Sequence, residues 1–426
     1  MITQNIKIGF VGLGYAGCPT ACLLAEKYEL VGFDLSESRI SSLKQCIDVC
    51  NDVAPEKIKA ILDKGTVLTT NKDCLKDCNF FIVTVPTPID CNYAPDLSYV
   101  ISATEEVASV LKKGDIVTYE STVYPGATEE VCVPILEEIS GLKFNQDFFV
   151  GYSPERINPG DKVHTVVNTV KITSGSTPEA AKIIDEVYSS ILENGTYLAS
   201  SIKVAEAAKV IENAQRDINI AFMNEIAMIF DTLGIDTNDV IDAASSKWNF
   251  LPFRPGLVGG HCISVDPYYL IEKAKTHGAA ADLMIAARNI NNGMSNFIAE
   301  KVISLMRKNG LCPNNSNILI MGFTFKENCP DARNTKVIDI YTNLKKYTSN
   351  ITVVAPWTNP EKAQHEYGID VVPDVNQLSG RKFDAVIMAV AHDKFNSLHI
   401  EDLVVQNGVI YDVKGKLDRN IVTGRL

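Results

Sequence analysis

The segment that most constrains the fold is residues 6–34, where a glycine-rich loop lies between two short apolar runs. Residues 6–11 are largely apolar and predict a buried strand, and a second such run at 30–33 ends at Asp34. Between them, residues 12–17 read Gly-Leu-Gly-Tyr-Ala-Gly and lead into an apolar, helix-like stretch. Strand, glycine loop, helix, strand and acid in this order are the fingerprint of a dinucleotide-binding α/β fold.

The same segment indicates which dinucleotide binds. Glycines in the loop let a pyrophosphate approach the backbone amides at the start of the helix, where the helix dipole favours negative charge. Asp34 lies 22 residues beyond Gly12 and can accept hydrogen bonds from ribose hydroxyls, which favours NAD over NADP. We therefore expect NAD as the cofactor. The residues expected to bind it in this segment are Gly12, Gly14, Tyr15, Ala16, Gly17, Asp34 and Arg39.

Polar and turn-forming residues follow the next apolar runs, at 80–85, 115–119 and 148–150. In a doubly wound sheet, ligands bind at the carboxyl ends of the strands, so these residues are candidates for contacting the nicotinamide and the substrate. Ordinary turn chemistry explains Ser, Thr and Pro at these positions equally well, and both interpretations stay open. The candidates for cofactor contact are Val85, Pro86, Thr87, Ser121 and Thr122.

The composition excludes several classes of protein. The chain has 426 residues, 46% of them hydrophobic and 22% charged, as is typical of a globular protein of two or three domains. A net charge of −12 argues against a nucleic-acid partner, and no apolar run reaches the roughly 20 residues that span a bilayer. Eleven cysteines, an odd number without a secretory signal or zinc-ligand spacing, indicate reduced thiols, a cytoplasmic location and no metal.

The order of the elements predicts three segments. Residues 1–196 carry the fingerprint, residues 197–308 are helical, and residues 309–426 repeat an α/β alternation without a glycine fingerprint. A helix at 200–233 contains no Pro or Gly, and a helix of that length connects domains or packs against its copy in a dimer. We expect an α/β protein whose two Rossmann-like, doubly wound parallel sheets are joined by a long central helix and a helical middle domain.

A glycine-framed cysteine is the candidate nucleophile. Residues 256–262 place three glycines before Cys262, and Asp266 follows four residues later. Glycines let backbone approach a ligand closely, so the sulfur can reach a substrate carbon, while the aspartate can order a water or hold a proton. The alternative is a small apolar residue packed in a turn, because cysteine is among the residues most often buried.

Two further groups of residues have the character of a site. Lys209 and Asn213 lie four apart and hence on one face of the long helix, although a solvated lysine beside an incidental asparagine explains them too. Lys326, Asp331 and Arg333 follow an apolar run near 317–322, where they face either a phosphate or a neighbouring acid. The alternative for this second group is a surface ion cluster of little energetic value.

Seven motifs, in order along nearly the whole chain, resemble the UDP-glucose/GDP-mannose dehydrogenase family. Two sequence features resemble those of the branch that acts on UDP-N-acetylhexosamines. The first is His-Cys-Ile at 261–263, where the glucose enzymes have Ser-Cys-Phe. The second is Pro159, which stands where the glucose enzymes have a second glutamate, and Asn158 can take the water-holding role of that glutamate. The motifs are 12–17, Val-Pro-Thr-Pro at 85–88, Glu-Ser-Thr-Val-Tyr-Pro at 120–125, Ser-Pro-Glu-Arg at 153–156, Lys-Val-Ile-Glu-Asn at 209–213, Gly-Gly-His-Cys-Ile at 259–263 and Gly-Phe-Thr-Phe-Lys at 322–326.

The resemblance implies a double oxidation, in which two NAD+ convert a C6 alcohol to a carboxylate through a thiohemiacetal and a thioester on Cys262. It further implies a homodimer and a role in capsule or O-antigen synthesis, with a UDP-sugar bound by the last segment.

Arg333 matches a family position near the cofactor, and Arg254 is a plausible clamp on the substrate, from either subunit of a dimer. The implied catalytic residues are Cys262, Lys209, Asn213, Asp266, Glu155 and Thr122. The implied substrate-binding residues are Glu155, Arg156, Lys209, Asn213, Arg254, Gly259, Lys326 and Lys414.

Three alternatives remain open at this point. A UDP-glucose 6-dehydrogenase would perform the same double oxidation on a different sugar. A β-hydroxyacid dehydrogenase shares the fingerprint and the Lys-x-x-x-Asn helix, but performs one oxidation and needs no cysteine. A sensor that retains the fold would bind UDP-sugar and NAD without any turnover.

Overall fold

The computed structural model describes residues 5–50, 52–157 and 163–426, which divide into two units. The first unit contains the chain up to Glu212 together with Tyr268–Ala279. The second contains Asn213–Pro267 and Ala280–Leu426. The division into three segments made from the sequence stays a prediction.

The first unit is built on a parallel sheet with the strand order β3-β2-β1-β4-β5-β6. Both faces of the sheet are covered, so its central strands are continuous apolar runs with little alternation. A separate parallel pair, β7-β8, belongs to the same unit. The strands are β1 Lys7–Val11, β2 Glu29–Phe33, β3 Val67–Thr69, β4 Phe80–Val83, β5 Ile116–Tyr119, β6 Phe149–Tyr152, β7 Lys171–Thr173 and β8 Thr196–Leu198.

The helices begin where local chemistry favours a helix start. Thr177, for example, accepts the amide of Ala180 with its side chain, and Pro178 stands at the first helical position. Among the described residues the helices are α1 Gly17–Ala25, α2 Glu37–Lys44, α3 Pro55–Asp63, α4 Ser98–Ala108, α5 Val133–Ser140, α6 Pro178–Ser189, α7 Ile202–Leu233, α8 Thr237–Ser245, α9 Asp266–Thr276, α10 Asp282–Lys308, α11 Val337–Leu344 and α12 Pro360–Tyr367.

The second unit contains a parallel sheet with the order β11-β10-β9-β12-β13-β14. Counted from its own first strand, this order is the same as in the first unit, which is the doubly wound arrangement of the Rossmann fold. The predicted fold class, with two such sheets and a helical middle region, is confirmed. The strands are β9 Ile318–Met321, β10 Ile351–Val354, β11 Val371–Val372, β12 Phe383–Met388, β13 Val404–Asp412 and β14 Gly424–Arg425.

Each sheet has a glycine directly after its first strand. Gly12 has φ +93°, and a Cβ there would lie 3.1 Å from the backbone of Thr84, just after β4. Gly322 has φ +89°, and its Cβ would lie 2.7 Å from the carbonyl oxygen of Val390, just after β12. Glycine is required at both positions, because the backbone is left-handed and the neighbouring chain passes too close for a side chain.

The predicted long helix is confirmed as α7, and it carries apolar side chains that the chain does not cover. Ile211, Phe222 and Leu233 are 54%, 53% and 63% exposed. Large exposed apolar side chains at helical spacing are typical of an interface. No helix in the described ranges combines the length and the apolar character that crossing a bilayer demands.

His392 is a buried histidine in the second unit. Its Nδ1 accepts the amide of Asn328 at 2.9 Å, and its Nε2 lies 3.2 Å from Thr324 Oγ1, so the hydrogen bonds suit the neutral ring. Burial lowers the pKa of His392 from 6.5 to about 4. The folded protein therefore resists protonation of this ring.

We expect acidification to destabilise the second unit through His392. Because the unfolded chain binds a proton below pH 6.5 and the folded chain only below about 4, the stabilisation is complete above pH 6.5 and is lost as the pH falls through 4. Its size is about 3 kcal/mol. Urea unfolding at pH 7.5 and at pH 4.5 will measure the free energy of unfolding. Between these two pH values, the wild type should lose about 3 kcal/mol more of this free energy than His392→Asn. The exposed His277→Asn is the control, and equal losses in all three proteins would contradict the assignment.

Candidate active site

The glycine loop of the first unit is shaped by close packing. A Cβ on Gly17 would lie 2.2 Å from the carbonyl oxygen of Gly12 and 2.4 Å from Thr84 Oγ1, so only glycine fits at the start of α1. Thr84 Oγ1 donates to that same carbonyl at 2.6 Å. A Cβ on Gly14 would meet no atom within 4 Å, so the loop borders space that a pyrophosphate can enter. Tyr15 and Ala16, half-buried, complete the loop.

Two charged residues fix the flank of this loop. Asp34, at the end of β2, accepts the amide of Leu13 at 2.9 Å and the amide of Ser36 at 2.8 Å. Arg39 is buried; its Nε donates to the carbonyl of Leu13 at 2.6 Å, and its Nη1 pairs with Asp48 at 2.7 Å. The arginine predicted to bind cofactor is thus engaged beneath the loop, where it holds Leu13 in place.

The predicted residues after β4 and β5 lie in two joined segments. Ser121 Oγ donates to the carbonyl of Val85 at 2.7 Å, which ties the end of one strand to the end of the next. Pro86 and Thr87 continue the first segment, and Thr122 the second. These are the carboxyl ends of neighbouring parallel strands, the place where a doubly wound sheet binds its ligands.

Glu155 and Arg156 follow β6 at the same edge of that sheet. Glu155 Oε1 accepts the amides of Arg156 and Ile157, both at 2.7 Å. The guanidinium of Arg156 pairs with Glu212 at 2.7 Å and donates to the carbonyl of Val170. The structure thus holds the Arg156 side chain with groups of its own unit. Asn158 and Pro159, to which the sequence drew attention, lie outside the described residues.

The loop that carries Cys262 is pinned in the second unit. Gly260 has φ +83°, and its carbonyl accepts from Asn334 Nδ2 at 3.1 Å. A Cβ on Gly259 would lie 2.6 Å from the carbonyl oxygen of Asn334, so this glycine permits a close approach of two backbones. The Cys262 carbonyl accepts the amide of Asp266 at 2.8 Å, which leads directly into α9. Cys262 itself is half-buried.

Asn213 and Asp266 are brought together. Asn213 Nδ2 donates to Asp266 Oδ2 at 2.5 Å, and both side chains are buried. Lys209 lies one turn earlier on α7 and is 7% exposed, so it is not the solvated lysine that the sequence left possible. A buried cation on the helix face that also carries Asn213 suits the stabilisation of a developing oxyanion.

The start of the cysteine loop is clamped by a side chain that the sequence did not reveal. Asn224 Oδ1 accepts the amide of Gly256 at 2.8 Å, and its Nδ2 donates to the carbonyl of the same residue at 3.0 Å. The same Nδ2 lies 2.8 Å from Asn291 Oδ1, and Asn291 in turn donates to Asp217. All three polar side chains are fully buried, so the clamp is rigid.

We expect Asn224→Ala to loosen this loop and to lower kcat more than it changes KM. The variant removes both bonds to Gly256 and leaves buried polar groups without partners, which costs about 2–4 kcal/mol of stability. Hydrogen exchange at residues 256–266 should accelerate. Asn219→Ala, on the same helix, removes only a bond to the carbonyl of Gln215 and serves as the control. Unchanged exchange in the Asn224 variant would refute the clamp.

A cleft of the second unit gathers three of the predicted substrate residues. Gly259, Lys326 and Lys414 all line it, together with Lys336, which the sequence reasoning missed. Lys326 Nζ lies 5.7 Å from the ring centre of Phe325, and Lys414 Nζ pairs with Glu327 at 3.1 Å. Three lysines and one glutamate, Glu327, line the cleft, so its lining has a net positive charge that favours an anion.

The remaining two arginines are held by neighbouring acids and amides. Arg254 Nη1 donates to Asn238 Oδ1 at 2.7 Å, and its Nη2 donates to Asp242. Arg333 forms two hydrogen bonds to Asp331, at 3.0 and 2.7 Å, and the same carboxylate lies 2.8 Å from His261 Nε2. The structure therefore places Arg333 beside the cysteine loop of its own unit and Arg254 against α8.

Three profiles of one family match the chain. They are described as the UDP-glucose/GDP-mannose dehydrogenase family's NAD binding domain, central domain and UDP binding domain, and they match residues 6–192, 203–293 and 319–419. The cofactor expected from the fingerprint agrees with the first of these profiles.

Individual proteins match over nearly the whole chain. A UDP-N-acetyl-D-glucosamine 6-dehydrogenase of Pseudomonas aeruginosa is 51% identical over 98% of both chains. Protein CapL of Staphylococcus aureus is 50% identical over 97% of this chain and 96% of its own. Among solved structures, a UDP-D-ManNAc dehydrogenase from Pyrococcus horikoshii covers 99% of this chain and 98% of its own, with 28% identity and a TM-score of 0.90.

Proposed function

The chain belongs to the UDP-glucose/GDP-mannose dehydrogenase family, and from this membership we propose that it is a UDP-N-acetylhexosamine 6-dehydrogenase that uses NAD. The observation that carries the proposal is the 51% identity, over 98% of both chains, to a UDP-N-acetyl-D-glucosamine 6-dehydrogenase. UDP-N-acetyl-D-glucosamine is accordingly the substrate we propose within this class. Capsule or O-antigen synthesis is the use we propose for the product, in keeping with the similarity to CapL.

The first unit fits NAD. The open space beside Gly14, the close packing at Gly17 and the fixed carboxylate of Asp34 are the three features that a bound dinucleotide needs. When bound, the cofactor accepts a hydride from the substrate carbon. The residues that would hold it are those of the glycine loop, Asp34 and the joined segments after β4 and β5.

The chain's own residues manage protons and charge during the oxidations. Lys209 and Asn213 would stabilise the oxyanion that forms as the C6 alcohol loses its proton. The sulfur of Cys262 then bonds to the aldehyde carbon, and the resulting thiohemiacetal oxygen loses a proton as the second hydride leaves. Asp266, which accepts a hydrogen bond from Asn213, is proposed to hold a proton near the loop. The product of these steps is a thioester on Cys262.

Hydrolysis of the thioester completes the reaction. A water adds to the thioester carbon, its proton passes to a carboxylate, and the carbon–sulfur bond breaks to release the uronate and the thiolate. We assign the carboxylate to Glu155, with Thr122 as a further polar contact. Arg156 and Arg254 are further proposed contacts to the substrate, and the lysines around the cleft, Lys326 and Lys414, are proposed to meet its diphosphate.

We also propose a homodimer and a cytoplasmic location. The dimer is supported by the exposed apolar side chains of α7, of which Phe222 is 53% exposed. The location is supported by the odd number of cysteines in the sequence. Sedimentation of the purified protein measures its oligomeric state, and fractionation of cells measures its location.

The function is tested with a panel of UDP-hexoses and UDP-N-acetylhexosamines, each with NAD+ and with NADP+. We expect turnover of UDP-N-acetyl-D-glucosamine with two NADH formed per sugar consumed. Activity on UDP-glucose alone would overturn the substrate, and one NADH per substrate would favour a β-hydroxyacid dehydrogenase. Binding of both ligands without any reduction of NAD+ would indicate a sensor.

We expect Asp34→Ala to narrow the preference for NAD+ over NADP+ by about 10- to 100-fold in kcat/KM. The carboxylate repels the 2′-phosphate of NADP and accepts hydrogen bonds from the ribose hydroxyls of NAD. Its removal therefore weakens the binding of NAD+ and removes the repulsion that opposes the binding of NADP+. Asp48→Asn, which alters the nearby pair with Arg39, is the control for general disturbance of the region. A preference unchanged by Asp34→Ala would contradict the role.

A further inference from the structure

The segment that follows β5 begins at firmly held residues. Glu120 comes directly after the last residue of β5 and is 2% exposed. Its Oε2 lies 3.0 Å from the Nζ of Lys171, the first residue of β7, and its Oε1 accepts the hydroxyl of Tyr188 at 2.5 Å. The next residue, Ser121, donates to the carbonyl of Val85. The first two positions of the segment are therefore fixed by contacts within the first unit.

The far end of the segment is held by one carboxylate. Glu206, on α7, accepts the amide of Gly126 with Oε2 at 2.5 Å and the amide of Thr128 with Oε1 at 2.9 Å. Gly126 has φ +97°, and Thr128 begins the helical turns that continue into α5. Glu206 is fully buried, so water does not replace it as the acceptor of these two amides.

The charge of Glu206 and the turn at Gly126 stabilise each other. Burial raises the pKa of Glu206, and the hydrogen bonds from the amides of Gly126 and Thr128 oppose that rise. These amides lie at the start of a helical stretch, where the helix dipole favours negative charge. Removing the charge of this side chain should therefore loosen the turn.

Glu206 lies on the face of α7 that also carries Lys209. Residues three apart on a helix are neighbours on its surface, and Lys209 is the residue to which we assign the oxyanion. The end of the segment after β5 is thus held one turn away from Lys209. Thr122 is half-buried and lies four residues before Gly126. The bonds that hold the segment come from its two ends, and Thr122 is carried between them.

We propose that Glu206 is a positioning residue, which fixes the segment after β5 against α7 and thereby holds Thr122 where it contacts the cofactor and the substrate. This inference rests on the proposed function, in which Thr122 is a polar contact at the carboxyl end of β5. Both oxygens of Glu206 are occupied by backbone amides. Glu206 forms and breaks no bond in the reaction, and it acts only through Thr122.

The test compares Glu206→Gln, Thr122→Val and the double variant. Glutamine keeps the shape of the glutamate side chain, but its NH2 group cannot accept a hydrogen bond, so one of the two amides is released. Valine keeps the shape of Thr122 and removes its hydroxyl. If Glu206 acts through Thr122, the loss of a hydroxyl that is already misplaced costs little more, and the two losses do not multiply. A merely structural role predicts independent losses that multiply.

We expect Glu206→Gln to lower kcat/KM for NAD+ about 10- to 30-fold and Thr122→Val to lower it by a similar factor. The double variant should lose no more than about threefold beyond the more impaired single variant. Hydrogen exchange at Gly126 and Thr128 should accelerate in Glu206→Gln. The affinity for UDP alone, measured by calorimetry, should keep its wild-type value, because the lysines around the cleft belong to the second unit.

The matched control is Glu186→Gln, on α6 of the same unit, which removes an exposed glutamate paired with Lys182 and should leave all three quantities unchanged. Wild-type kcat/KM or wild-type exchange in Glu206→Gln, a reduced affinity for UDP, or losses that multiply in the double variant would overturn the inference. If Glu206→Gln does not fold, Glu206→Asp replaces it in the same comparison, since it keeps the charge and shortens the reach by one methylene. A wild-type protein that reduces no NAD+ with any UDP-sugar overturns the proposed function instead, whereas the exchange measurement does not depend on turnover.

Discussion

Replacing Cys262 with serine is expected to lower the rate of uronate formation by a factor on the order of 1,000 or more. The hydroxyl is nearly isosteric, and the loop is held by Asn224 and Asn334, so the backbone should keep its course. What changes is the chemistry, because a serine hydroxyl is a far weaker nucleophile than a thiolate and the aldehyde is not captured. The measurement is uronate by chromatography, with NADH followed by absorbance and the adduct by intact mass.

The control for this variant is Cys312→Ser, an exposed cysteine of the same unit. It should leave the rate of uronate formation and the adduct unchanged. The nucleophile assignment fails if Cys262→Ser forms uronate at the wild-type rate with no adduct in either protein. A single NADH per sugar in Cys262→Ala, with aldehyde released, would instead show that the two oxidations are separable.

Replacing Gly17 with alanine is expected to weaken NAD binding by at least about 100-fold and to destabilise the protein. The new Cβ would lie 2.2 Å from a backbone carbonyl oxygen and 2.4 Å from Thr84 Oγ1, so the start of α1 must move away from β1. Overpacking of this kind costs about 1–3 kcal/mol. The backbone amides at the start of the displaced helix no longer point at the pyrophosphate, so the affinity for NAD falls. Calorimetry of NAD+ binding and urea unfolding measure the two effects.

Gly14→Ala is the matched comparison within the same loop. Its Cβ would meet no atom within 4 Å, so the protein should fold with wild-type stability. Affinity for NAD should still fall, because the methyl group enters the space that we assign to the pyrophosphate. Equal stability of the Gly17 and Gly14 variants would contradict the packing argument, and unchanged affinity in both would refute the cofactor site.

Local patterns predicted the parts of the molecule that depend on neighbours in the chain. The segment from β1 to Asp34 is one contiguous motif, so the sequence predicted it. The chain turns sharply after β1, and glycines adopt the backbone conformation that this turn requires. The length of α7 followed from the absence of Pro and Gly. The start of α9 at Asp266 was not predicted, although an acid at the first turn of a helix was a signal for it.

The rest of the site depends on partners distant in sequence. Lys171 and Glu120 are 51 residues apart, and Asn224 reaches a loop 32 residues away. Nothing in the local sequence shows that a lysine at the start of a three-residue strand is buried, because the acids that pair with it come from the segments after β5 and β6. The short strands β7 and β8 were missed for the same reason, since three residues leave no periodicity to detect. Only the assembled sheet supplies these contacts.

The fixed course of residues 256–266 has a consequence for the speed of each catalytic cycle. Asn224 holds one end, Asn334 holds the middle, and the first turn of α9 holds the other end. The entropy of placing the sulfur is therefore lost once, when the polypeptide folds, and not again whenever a sugar arrives. A nucleophile carried in this way is ready before its electrophile exists, which suits an aldehyde that must be captured before it diffuses away.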